Sequence, residues 1–107
     1  MRTITLTIQS TARNWRLGLY KKDSIKYFTH LESVEFVLTE GLILFCNAAC
    51  GTSKKKAYDF NNVNLSKWIV ENNFHQYSNR KPTKLIFKLT ILDNKKTLTF
   101  QTIQTSP

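Results

Sequence analysis

Acidic side chains, glycine, proline, cysteine and long apolar runs are all scarce in this chain, and each scarcity excludes something. Three Gly and two Pro in 107 residues argue against a linker-rich or low-complexity chain. Two cysteines, Cys46 and Cys50, supply too few ligands to close a structural zinc site, which takes four. The longest apolar run, Leu42–Cys46, is far shorter than the roughly 18 residues that span a bilayer. The opening stretch alternates Thr with Ile and Leu, so it lacks the continuous apolar segment of a signal peptide. A cytoplasmic protein without a membrane partner is expected, with both thiols reduced.

Seven Asp and Glu stand against sixteen Lys and Arg, a formal net charge of +9. A domain this basic repels itself unless something negative compensates it, so a polyanion is the first partner to consider. The excess is clustered at Lys21–Lys22, Lys54–Lys56, Arg80–Lys81 with Lys84, and Lys95–Lys96.

A hydrophobic fraction of 41%, with two Trp, four Tyr and seven Phe, supports a packed core in a single domain over 1–107. Thr3–Ile8 alternates strictly, with Ile4, Leu6 and Ile8 on one face, and reads as a half-buried strand. Similar alternation marks 14–20, 33–38, 84–92 and 97–103. Residues 25–30 form an ambiguous short segment, and 57–60 a short strand. Leu42–Asn47 is apolar on both faces, which predicts a central strand covered on both sides. Gly41 can supply the positive φ of a tight connection before it.

The spacing of Leu65, Trp68, Ile69 and Asn72 predicts an amphipathic helix over about 63–73. Asn62 or Asn64 can cap its start, and Asn72–Asn73 can end it. Residues 93–96 read as a hairpin turn. The expected fold is α+β: a mostly antiparallel sheet of about six strands, with one helix inserted before a C-terminal β-hairpin. Either terminal strand, Thr3–Ile8 or Thr97–Ile103, could sit at a sheet edge and form a homodimer there.

In a simple meander the breaks carrying Lys21–Lys22 and Lys54–Lys56 fall at one end of the sheet. The helix returns Arg80 and Lys81 to that end, and Lys95–Lys96 falls at the other. Aromatic residues interleave with the clusters. A basic groove with stacking aromatics is how single-stranded nucleic acid is commonly held. The expected function is therefore a small non-enzymatic nucleic-acid-binding module of weak sequence specificity. Lys21, Lys22, Lys54, Lys55, Lys56, Arg80, Lys81 and Lys84 would contact phosphates, and Tyr20, Tyr58 and Tyr77 would stack on bases.

Two other readings share the charge signal. One is an interaction, inhibitor or accessory protein, for instance one encoded by a phage or mobile element, docking on an acidic partner. The other is a small ribonuclease toxin centred on His75, Tyr77, Arg80 and Lys81, residue types able to move protons and stabilise a charged phosphate. No paired carboxylates, phosphate-binding glycine loop or metalloprotease motif is present, and no catalytic residue, cofactor or metal is expected.

Overall fold

The computed structural model describes residues 2–10, 14–19, 28, 32–50, 58–77 and 81–104, at positions 49, 50 and 58 by backbone alone. Its strands are β1 (Arg2–Ser10), β2 (Trp15–Leu19), β3 (Ser33–Val37), β4 (Ile43–Cys50), β5 (Tyr58–Phe60), β6 (Lys84–Leu92) and β7 (Lys95–Ile103). One helix, α1 (Val63–Glu71), lies between β5 and β6. Alternation decides the inner face. Ile4, Leu6 and Ile8 of β1 and Leu85, Phe87 and Leu89 of β6 are all buried.

The expected α+β fold with a mostly antiparallel sheet of about six strands is corrected to a closed barrel of seven, in the order β1-β2-β5-β4-β3-β7-β6, with one short helix. Two pairings between distant parts of the chain make the closure. β1 pairs antiparallel with β6 from Arg2↔Leu89 to Thr7↔Lys84. β3 pairs parallel with β7 from Val34↔Lys96 to Val37↔Thr99. Local alternation says which face a residue takes but not which strand it meets. Closure also gives both terminal strands neighbours on two sides: β1 has β2 and β6, and Lys96–Thr99 of β7 has β3 and β6. The doubly paired stretches, Leu6–Thr7 and Lys96–Thr99, offer no free edge for strand pairing.

Among the described residues, the outer face of β4 carries no covering element over Ile43 and Phe45, so the strand is not covered on both faces there. Leu44, Cys46 and Ala48 point inward, while Ile43 and Phe45 point out and are exposed. Cys50 ends this strand, paired with Tyr58 across the β4–β5 ladder.

Strand direction defines two ends. The carboxyl ends of β2 and β4, the amino ends of β3 and β5, and the β6–β7 turn share one, the hairpin end. The β6–β7 turn is a two-residue link in which Asp93 and Asn94 both have positive φ (51° and 65°). That is the twist a tight hairpin needs, supplied by residues that tolerate it.

The other end, the helix end, carries the turn Thr39–Gly41 and α1. Asn62 caps the helix by accepting from the backbone N–H of Asn64 (2.7 Å) and Leu65 (3.4 Å). Its own amide donates to the Phe45 carbonyl at 3.1 Å, pinning the helix start to β4. Leu65, Trp68 and Ile69 are buried as the spacing predicts. At the far end the Phe74 N–H bonds the Ile69 carbonyl, the Asn73 N–H bonds Val70, and Asn73 has φ 60°. This left-handed Asn closes the helix two residues before the expected limit at 73.

Edge-to-face rings run through the barrel from end to end: Phe28 on Phe60, Phe60 on Phe36, Phe36 on Phe87, Phe87 on Phe100, and Phe100 on Trp68. Neighbouring centroids stand 5.0 to 5.7 Å apart along this series, a spacing that favours edge-to-face aromatic pairs.

Candidate nucleic-acid interface

The charge of the described residues is nearly balanced. They hold eight of the sixteen Lys and Arg and six of the seven Asp and Glu. Much of that charge is paired on the barrel wall. Lys95 Nζ lies 3.2 Å from Glu35 Oε2 and Lys96 Nζ 2.7 Å from Glu32 Oε1. Arg16 Nη1 lies 3.2 Å from Asp59 Oδ2, while Arg16 Nε donates to Gln9 Oε1 at 3.1 Å. Burial raises the Asp59 pKa above the usual carboxylate value, and the nearby Arg16 cation only partly offsets it. The sequence excess of positive charge therefore sits in the remaining segments.

Lys21, Lys22, Lys54, Lys55, Lys56, Arg80 and Tyr20 lie outside the described residues, as does the side chain of Tyr58. The strand ends that bound their segments are described. Leu19 ends β2 and Ser33 begins β3; Cys50 ends β4 and Tyr58 begins β5. All four belong to the hairpin end, beside Lys95 and Lys96. The expected grouping is thus half corrected. The connections carrying Lys21–Lys22 and Lys54–Lys56 do start and finish at a common end, but Lys95–Lys96 shares it. Lys81 and Lys84 lie at the opposite end, because β6 begins where α1 leaves off. Strand directions still alternate from β1 to β7, but α1 joins the end of β5 to the start of β6 at one end of the barrel instead of carrying the chain back to the hairpin end.

At the helix end Lys81 is exposed and Lys84 half-buried. Tyr77 is half-buried and meets Trp15 edge-on at 6.1 Å. The His75 ring stands 5.6 Å from Trp15, and its Nδ1 is buried without a hydrogen-bond partner among the described residues. Alternation places Trp15 inward with Leu17 and Leu19, and it packs against the core, but alternation does not tell which rings it meets. Its backbone N–H donates to Ser66 Oγ at 2.9 Å, fixing β2 to the helix and the ring beside His75 and Tyr77. These rings form a packing group at the helix end.

Cys46 is buried in β4, and desolvation pushes its thiol up to about 12. It is an inert core residue rather than a nucleophile or ligand at neutral pH. Among the described residues, no three His, Cys, Asp or Glu side chains gather to hold a metal. No helix among them is long and apolar enough to cross a membrane. The sequence matches no protein-family model and no curated protein.

Proposed function

We propose that this barrel is a cytoplasmic, non-enzymatic nucleic-acid-binding module that engages phosphates from its hairpin end. The carrying observation is topological. Two lysine-bearing segments, 20–32 and 51–57, leave from and return to the same barrel end, where Lys95 and Lys96 are already paired to glutamates. A wall of compensated charge with an excess at one end favours a polyanion there over uniform solubilising charge. Lys21, Lys22, Lys54, Lys55 and Lys56 take phosphates, and Tyr20 and Tyr58 stack on bases. Lys81, Lys84 and Tyr77 form a second, smaller group at the helix end, flanked by Trp15. Lysine-dominated contacts make the binding strongly salt-dependent and weakly sequence-specific.

The test is affinity for single- and double-stranded DNA and RNA across a salt series. Log affinity falls linearly with log salt, and joint replacement of Lys54, Lys55 and Lys56 by Ala reduces the slope by about two to three. An unchanged affinity and slope in that variant removes the loop from the interface. Binding no tighter than that of an unrelated protein of equal charge sinks the reading altogether.

A further inference from the structure

At the helix end the outer face of β4 is apolar where barrel walls are commonly polar, and it turns polar at Asn47. Ile43 and Phe45 are 52% and 56% exposed, and Leu42 just before them is 41% exposed. Val63, 71% exposed, opens α1 beside them, because Asn62 is bonded to the Phe45 carbonyl. Leu42, Ile43 and Phe45 follow one another into and along the strand, and the Asn62–Phe45 bond brings the start of α1, with Val63, to the same wall at the helix end. Contiguous exposed apolar surface of this kind marks interaction sites on soluble proteins.

The patch continues into a groove of about 470 Å³ between the Thr39–Gly41 turn and the end of α1. Thr39, Glu40, Leu42, Trp68, Glu71 and Asn72 line it. The Trp68 indole N–H donates to Thr39 Oγ1 at 2.9 Å and holds the two walls together. Both ionisable residues of this lining are acidic. Glu32, Glu35 and Asp59 are engaged in ion pairs with described cations; Glu40 and Glu71 are not. The groove also lies at the carboxyl end of α1, whose last turn contains no basic residue. The helix dipole there adds negative potential to that of the two carboxylates.

We propose that this groove and the adjoining apolar face dock a partner protein through a segment that combines apolar side chains with Lys or Arg. The apolar side chains cover Leu42, Ile43, Phe45 and Val63, and the cation meets Glu40 and Glu71. A chain of net charge +9 repels basic partners elsewhere on its surface, so this local reversal of sign selects where such a segment can land. The surface lies at the end opposite the main proposed phosphate contacts, Lys21, Lys22 and Lys54–Lys56, and does not rest on that reading. Together the two would join a polyanion to a protein.

The test titrates the full chain into two fluorescein-labelled peptides, one alternating leucine with lysine and one alternating leucine with glutamate, and follows anisotropy. The lysine peptide binds and the glutamate peptide does not. Glu40→Gln combined with Glu71→Gln weakens the lysine peptide about three- to ten-fold, as expected for two exposed ion pairs. Phe45→Ser also weakens it, and thermal melting shows that both variants stay folded. Equal binding of the two peptides overturns the proposal, as does unchanged binding by the folded Glu40→Gln, Glu71→Gln variant. A concentration-dependent dimer in sedimentation that Phe45→Ser abolishes also overturns it, assigning the face to a second copy of the chain. Oligonucleotide binding is read in the same variants. It stays unchanged if the two ends act separately, so failure at one leaves the other standing.

Discussion

Lys96 Nζ lies 2.7 Å from Glu32 Oε1 and 5.5 Å from the centroid of the Phe28 ring, at the seam where β3 and β7 run parallel. Both charged side chains are largely buried, and the neighbouring Thr97 hydroxyl donates to Glu35 at 3.2 Å. The parallel β3–β7 ladder is thus also a ladder of cross-strand polar contacts. Lys96→Met is expected to lower stability by about 1–2 kcal/mol, between the values for exposed and buried pairs. Urea unfolding of the two single variants and the Glu32→Gln, Lys96→Met double variant measures the coupling. Additive losses would show that the pair contributes nothing to the seam.

Asn62 has two roles on one side chain. Its oxygen caps α1 and its nitrogen holds the carbonyl of Phe45. Asn62→Ala should lose about 1 kcal/mol or slightly more, as N-cap deletions do. Asn62→Asp keeps the cap, loses the link to β4, and should fall between the two. If Asp matches Ala in a denaturant titration, the helix cap is not what stabilises this junction.

Asp59 has its pKa raised by burial, with Arg16 opposing. A carboxyl raised in the folded state favours folding while protonated, and that contribution is lost as pH rises through the native pKa. Relative to Asp59→Asn, the wild type should therefore lose ground as pH climbs from about 3 towards 7. Melting temperatures of both proteins across that range give the difference. A gap that moves in the opposite direction would mean that the Arg16 pair outweighs burial.

Cys46 should be protected in the native state, since burial lifts its thiol from 9.0 to about 12. In a Cys50→Ser variant, an aromatic disulfide reagent at pH about 8 should label the remaining thiol only after denaturation. Its raised pKa also predicts stability lost at alkaline pH, beginning near 9.0, where the unfolded thiol ionises and the buried one does not. Rapid labelling of the folded variant would contradict this placement.

Much of the local architecture is legible in the order of residues alone. β6 spans Lys84–Leu92 as its alternation predicts. The stripe of Leu65, Trp68 and Ile69 is buried, and Asn62 and Asn73 cap the helix they flank. The departures concern which face meets solvent. Leu42–Asn47 looks like a doubly covered strand because an apolar outer face and a buried one read alike in sequence. Ile91, placed inward by alternation, is exposed because the β6–β7 hairpin ends with three exposed residues beyond Leu89. Of the candidate phosphate contacts, the clustering of lysines is visible in the sequence, whereas the separation of Lys81 and Lys84 from the hairpin end is not.

By itself the sequence determined the elements: period-two alternation sets strand faces, helical spacing sets the stripe, and Asn and Gly positions set the turns. It also determined the charge excess. Only the tertiary structure decided the closure, the parallel β3–β7 seam, the end from which each lysine cluster emerges, and the exposed apolar wall beside Glu40 and Glu71. These depend on pairings such as Arg2 with Leu89 and Val34 with Lys96. Their free energy comes from burying a shared core and from closing the edges, terms that no local window of the chain contains.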